Sequence, residues 1–196
     1  MSVSPTRDRR AERHEATRAE ILEAAWELAR EQGLSGLSLR DLGRKVGMRA
    51  QSLYSYFDSK HAIYDALFRE GYERFLERRE ASETTDDRRA DFRRGAREFM
   101  EFCLEDPARY QLLFQRTIPG FEPSSSSYAL AVRSLDVPRQ RFRDMGVEDP
   151  AVLDLWTALL TGLVDQQISN DPGGDRWSRL LDEAVDMFFE HLDKEK

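Results

Sequence analysis

The sequence predicts an all-α fold of about nine helices, and three observations carry that expectation. Apolar residues recur at spacings of three and four from Ile21 to Leu192, the period of helices with one buried face. No sustained alternation of period two, the mark of half-buried strands, interrupts them. The pairs Asp106-Pro107 and Asp149-Pro150 each place an N-capping carboxylate before a proline suited to the first helical position.

The first helix is expected from about Thr17 to Gln32, with Ile21, Leu22, Ala25, Leu28 and Ala29 as its apolar stripe and Gly33 just past its end. Ser38 followed by Asp41 opens the second as a relative of the capping box. Its Leu39, Leu42 and Val46 face inward, and Gly47 stops it. A short third helix runs from about Ala50 to Tyr56, and Asp58 is the expected cap of a long fourth reaching about Glu80. After the polar stretch from Ser82, a helix from about Arg89 to Glu105 carries Phe92, Ala96, Phe99, Met100 and Cys103. Pro119-Gly120 breaks the next segment, and Pro138 should kink or divide a helix spanning Tyr128 to Met145. The apolar helix opened by Pro150 ends before the loop at residues 170–174, and the last helix runs from about Asp175 to Leu192.

Composition narrows the function classes. Forty per cent apolar and 34 per cent charged residues are usual for a folded water-soluble chain. No stretch reaches the ~18 apolar residues that a membrane span needs, and no apolar segment follows the charged N-terminus, so a cytoplasmic protein without a membrane partner is expected. One cysteine, Cys103, allows no internal disulfide, and His14, His61 and His191 lie far apart without metal-ligand spacing. No metal and no cofactor are expected. The net charge of −7 hides an asymmetry. Residues 1–60 hold eleven Lys and Arg against nine Asp and Glu, so the acidic excess belongs to residues 61–196. Arg40, Arg44, Lys45, Arg49 and Lys60 are outnumbering only Asp41 and Asp58 in their stretch, which allows a local basic face.

The segment SLRDLGRKVGMRAQSLYSYFDSK has the form of a helix-turn-helix, with a capped helix, a glycine at the turn and a short second helix. Leu53 and Phe57, four apart, can lock the short helix down, which leaves Gln51, Ser52, Tyr54 and Ser55 to point elsewhere. Polar and aromatic groups displayed on so short a helix suit a DNA major groove better than a core.

These residues resemble the TetR family of transcriptional regulators over about residues 15–65, through RAEILEAAWELAREQGL, LSLRDLGRKVGM and SLYSYFDSKHAIYDAL. The resemblance implies that Ser38, Tyr54, Tyr56 and Lys60 contact DNA phosphates. A lysine at the positive end of a helix, as Lys60 would be, independently suggests an anion opposite it. Arg49, Gln51 and Ser52 are candidates for reading base edges, since arginine can pair with guanine and glutamine with adenine. Two departures from the family pattern bear on this. Arg49 stands where a serine cap is common, and Tyr56 replaces a common histidine. The expected division is a flexible basic arm over residues 1–14, a DNA-binding domain over 15–60 and a larger effector-binding and dimerisation domain over 61–196. The arm, with Arg7, Arg9, Arg10 and Arg13, could order in a minor groove.

For the larger domain the resemblance implies a homodimer and a small-molecule effector that alters the spacing of the two recognition helices. Leu160, Leu163 and Val164 on one helix, with Leu181, Val185, Phe188 and Phe189 on the last, are the expected dimer interface. Phe99, Phe102, Cys103, Tyr110, Phe114, Tyr128 and Trp156 are the expected effector pocket. With no clustered buried charge evident in these helices, an apolar or weakly polar effector is expected. The function this adds up to is a repressor released from a palindromic double-stranded DNA operator by its effector. The alternatives are a regulator whose C-terminal domain answers to a protein partner and a helical enzyme. For the enzyme no nucleophile-base pair or glycine-rich phosphate loop is in evidence.

Overall fold

The computed structural model describes residues 5–81 and 85–194, with side chains from residue 9 onward. The described chain is helical without strands, as the sequence predicts. α1 spans Pro5–Gln32, α2 Leu39–Lys45, α3 Ala50–Leu53, α4 Lys60–Glu80 and α5 Arg88–Glu105. They are followed by α6 Pro107–Phe114, α7 Ser125–Ser134, α8 Asp136–Asp144, α9 Pro150–Asn170 and α10 Leu181–Lys194. Short 3-10 turns at Leu34–Gly36 and Ser178–Leu180 complete the path. None of the described helices is long and apolar enough to cross a membrane.

Several boundaries differ from expectation, each for a local reason. α1 starts at Pro5 rather than near Thr17, so the described part of the expected arm continues the helix. Proline at the first position and the run RDRRAERHEA, which contains no breaker, are compatible with that extension. The side chain of Arg7 lies outside the described residues. The cap of α4 is Ser59, not Asp58: its Oγ accepts the Ala62 N–H at 3.0 Å. The helix around Pro138 divides at Leu135, where α8 begins one residue later with Pro138 in its first turn. Proline has no N–H to donate back to the end of α7, so one ladder cannot run through both segments. Asp106 and Asp149 cap α6 and α9 as expected, accepting from the N–H groups of Arg109 and Ala151.

α1 and α4 are the shared elements of the molecule. Toward its N-terminal end, α4 buries Ile63, Tyr64 and Leu67, and the Tyr64 hydroxyl donates to the Leu34 carbonyl at 2.6 Å. Further along, Tyr72 and Phe75 are buried among α5 and α6, with the Tyr72 hydroxyl donating to the Leu113 carbonyl. α1 reaches the same region through Arg30, whose guanidinium pairs with Asp106 at 3.0 Å. One continuous apolar cluster therefore runs from Ile21 to Leu192, and the expected domain boundary at residue 60 falls at the first residue of α4.

Candidate nucleic-acid interface and interior cavity

The helix-turn-helix is held from beneath and open above. Leu53 and Phe57 are buried, while Gln51, Ser52, Tyr54 and Ser55 are exposed, Tyr54 to one half of its surface. Two glycines set the turn. A Cβ on Gly43 would meet the Met48 carbonyl oxygen at 2.8 Å, so α2 can approach the following segment this closely only without a side chain. Gly47 takes a φ of 67°, the left-handed region that ends α2. α3 itself is short, and Arg49 at its N-cap makes no capping hydrogen bond because a guanidinium offers no acceptor. Its charge projects freely.

The cations of this region divide into paired and unpaired. Lys45 is bound by Glu27 at 2.9 Å and Glu31 at 3.0 Å, two hydrogen-bonded carboxylates that raise its pKa, and Arg44 pairs with Asp41 at 2.6 Å. Among the described residues Arg40, Arg49 and Lys60 make no ion pair. Lys60 is the first residue of α4 and lies over the Tyr64 ring at 5.4 Å. Arg40, in the first turn of α2, stands in the same relation to a helix N-terminus. The sequence counts it in the local basic face but not among the candidate phosphate contacts, although the capping pair Ser38 and Asp41 already placed it there. Ser38 is half-buried, and its single hydroxyl proton goes to the Asp41 carboxylate at 2.6 Å. A phosphate at Ser38 must therefore compete for that donor. Tyr56 is half-buried and stacks on His14 at 4.6 Å between centroids, and His14 also lies 3.3 Å from the Ser55 carbonyl oxygen. The extended α1 thus braces the recognition turn, a role for His14 that no spacing in the sequence signals.

A cavity of about 290 Å³ lies between α4, α5, α6, α7, α8 and α9. Of the expected pocket residues, Phe99, Phe114, Tyr128 and Trp156 line it. Phe102, Cys103 and Tyr110 do not. Phe102 lies under the Arg109 guanidinium at 3.9 Å, Cys103 is sealed in the core with its thiol pushed up by burial, and the Tyr110 hydroxyl donates to Asp165 at 2.8 Å. Leu160, expected at the dimer interface, is a wall of the cavity instead. The expectation of no charge is also corrected: Arg79 from α4 and Arg141 from α8 both line the space. Burial, with Arg141 nearby, pulls the Arg79 guanidinium down to about 10, and Glu98 offsets part of that. Arg79 remains cationic at neutral pH.

The expected dimer residues are largely interior. Leu160, Val164, Leu181, Val185, Phe188 and Phe189 are buried within the single chain, the two phenylalanines packing with Phe92, Phe142 and Trp156. Only Leu163 keeps an outward position. Each helix carries two apolar stripes, and the residues selected from sequence belong mainly to the inner one. The outer stripe of α9 is Leu155, Ala158, Leu159, Gly162 and Leu163, spaced three and four apart. Leu155 is 52% exposed, Met187 on α10 is 64% exposed, and nothing lies within 4 Å of a Cβ built on Gly162.

Residues 21–67 match the family described as bacterial regulatory proteins, tetR family. This helix-turn-helix segment belongs to the TetR family. The TetR-family match covers α2, α3 and the first turns of α4, where the free polar groups of the turn are found. Over 129 residues the chain is 26% identical to the HTH-type transcriptional regulator Rv1816 of Mycobacterium tuberculosis, covering 64% of this chain and 55% of that one. It spans only about half the length of that relative. It is 27% identical over 158 residues to the HTH-type transcriptional repressor KstR2 of Rhodococcus jostii, covering 79% and 69% of the two chains. The crystal structure of the TetR-family regulator PfmR from Thermus thermophilus shares the fold, with a TM-score of 0.65 at 22% identity over 87% of this chain and 97% of that one.

Proposed function

We propose that the chain is a homodimeric, sequence-specific DNA-binding transcriptional regulator, a repressor that leaves its operator when a small molecule occupies the cavity. The observation that carries this reading is the recognition turn, whose apolar residues Leu53 and Phe57 are buried while Gln51, Ser52 and Tyr54 face outward. Buried anchors with an unpaired polar rim are what a major-groove reader requires. Lys60, Arg40 and Tyr54 hold phosphates, with Tyr56 and Ser38 at the margin because each already has an intramolecular partner. Arg49, Gln51 and Ser52 read base edges.

The outer stripe of α9 and α10 pairs two copies, through Leu155, Leu159, Leu163 and Met187, with Gly162 allowing close approach. A two-fold axis there presents two identical turns to one duplex, so the operator is a near-palindrome with half-sites ~34 Å, or a multiple, apart. α4 links cavity to DNA: Lys60 and Arg79 lie at its two ends, roughly 28 Å apart at 1.5 Å per residue. A ligand that moves the cavity end of a rigid helix also moves its phosphate-binding end. Selection from a random pool of duplexes should recover a near-palindrome, and recovery of unrelated sequences only would contradict the reading.

A further inference from the structure

We infer that the cavity takes a small hydrophobic monocarboxylate, with its carboxylate between Arg79 and Arg141 and its apolar body against Phe99, Phe114 and Trp156. This rests on the reading that the cavity is the effector site. The polar hydrogens around the space carry it. The hydroxyls of Thr157, Thr161, Ser134 and Tyr72 already donate to the carbonyls of Leu153, Thr157, Ala131 and Leu113. They have acceptors left to offer but no proton. Arg141 donates one N–H to the Asp91 carbonyl at 3.1 Å, and Arg79 lies over Phe75 at 5.6 Å. Among the described residues neither guanidinium is ion-paired, and no Asp, Glu, Lys or His lines the cavity. The donors left to meet a ligand are therefore two guanidiniums, the Tyr128 hydroxyl and the Trp156 indole N–H.

Two cations facing one apolar space repel each other, and an anion between them removes that repulsion. A carboxylate matches the planar guanidinium fork, whereas an amine adds a third positive charge and an alcohol supplies no charge at all. The rest of the wall is aromatic and aliphatic, which selects a hydrocarbon or aryl body. Size narrows it further. At ~30 Å³ for a water-sized group, a space of about 290 Å³ is on the scale of roughly ten non-hydrogen atoms, which suits an alkanoate of medium length. Tyr128 and Val132, exposed as well as lining, mark where such a ligand enters.

Calorimetric titration of the full chain with octanoate, octan-1-ol and octylamine tests the inference. Octanoate should bind at least about tenfold more tightly than octanol, the scale of a charge-assisted hydrogen bond, and octylamine should bind weakest. Arg79→Met and Arg141→Met should each bring octanoate down to the octanol level, while their retained octanol binding shows an intact cavity. Arg141→Lys should keep part of the preference, and it serves where a Met variant does not fold. Equal affinity for octanoate and octanol, unchanged octanoate binding in the variants, or no saturable binding of any of the three overturns the inference. DNA selection run in parallel separates the two proposals. Failure of octanoate alongside an operator overturns only the ligand class, and arginine-dependent octanoate binding without an operator overturns only the regulatory reading.

Discussion

The recognition turn and the cavity both present cations without carboxylate partners, but in opposite surroundings. Arg40, Arg49 and Lys60 stand at the surface, where solvent and salt weaken each interaction and several must act together on a polyanion. Arg79 and Arg141 stand beside an apolar space, where screening is weak and one small anion can engage both. The surface arrangement gives affinity for a long charged lattice and leaves selectivity to neighbours such as Gln51. The partly enclosed one makes charge itself the basis of selection. α4 joins the two because it carries a cation of each kind.

The strongest perturbation should come from the aromatic core behind the cavity. Phe189 is 1% exposed and packs on Phe92, a wall residue. Phe189→Ala should cost about 3–5 kcal/mol in chemical denaturation, and a much smaller loss would mean that the site collapses around the missing ring. Next is the turn: Gly43→Ala forces a Cβ against the Met48 carbonyl and should cost about 1–3 kcal/mol. It should also abolish selective DNA binding while ligand binding at the cavity persists. Loss of both in gel shift and calorimetry would break the separation between the regions. Gln51→Ala should relax preference at one position in each half-site by about 1 kcal/mol, read from competition with substituted duplexes. Lys60→Ala should weaken all duplexes alike and lower the salt slope by about one. A sequence-dependent loss there would make Lys60 a reader of bases.

Legibility in the sequence differed between these regions for physical reasons. At the turn, burial alternates with exposure over a few residues, so Leu53 and Phe57 separate cleanly from Gln51, Ser52 and Tyr54. In α9 and α10 apolar residues occupy two faces, and period alone does not say which face meets the chain's own core. Val164 and Val185 prove interior, and Leu155 and Met187 exterior. Asp58 and Ser59 are both good caps, and only backbone geometry selects Ser59. Arg79 carried a signal: with Tyr72 and Phe75 it falls at spacings of three and four on the buried stripe of α4. A charge at a helix end reads as solvated, and that habit concealed the cavity's polar end. The brace of His14 on Tyr56 joins residues 42 positions apart, a contact that local pattern does not encode.

The most direct test of the central claim is an anisotropy titration of a labelled selected duplex against a scrambled one, at about 50 and about 200 mM salt. The account predicts selective binding to the near-palindrome that weakens by about a thousandfold between those conditions, as several phosphate contacts require. Absence of binding to any duplex at the lower salt, by protein that is folded and dimeric, would contradict it.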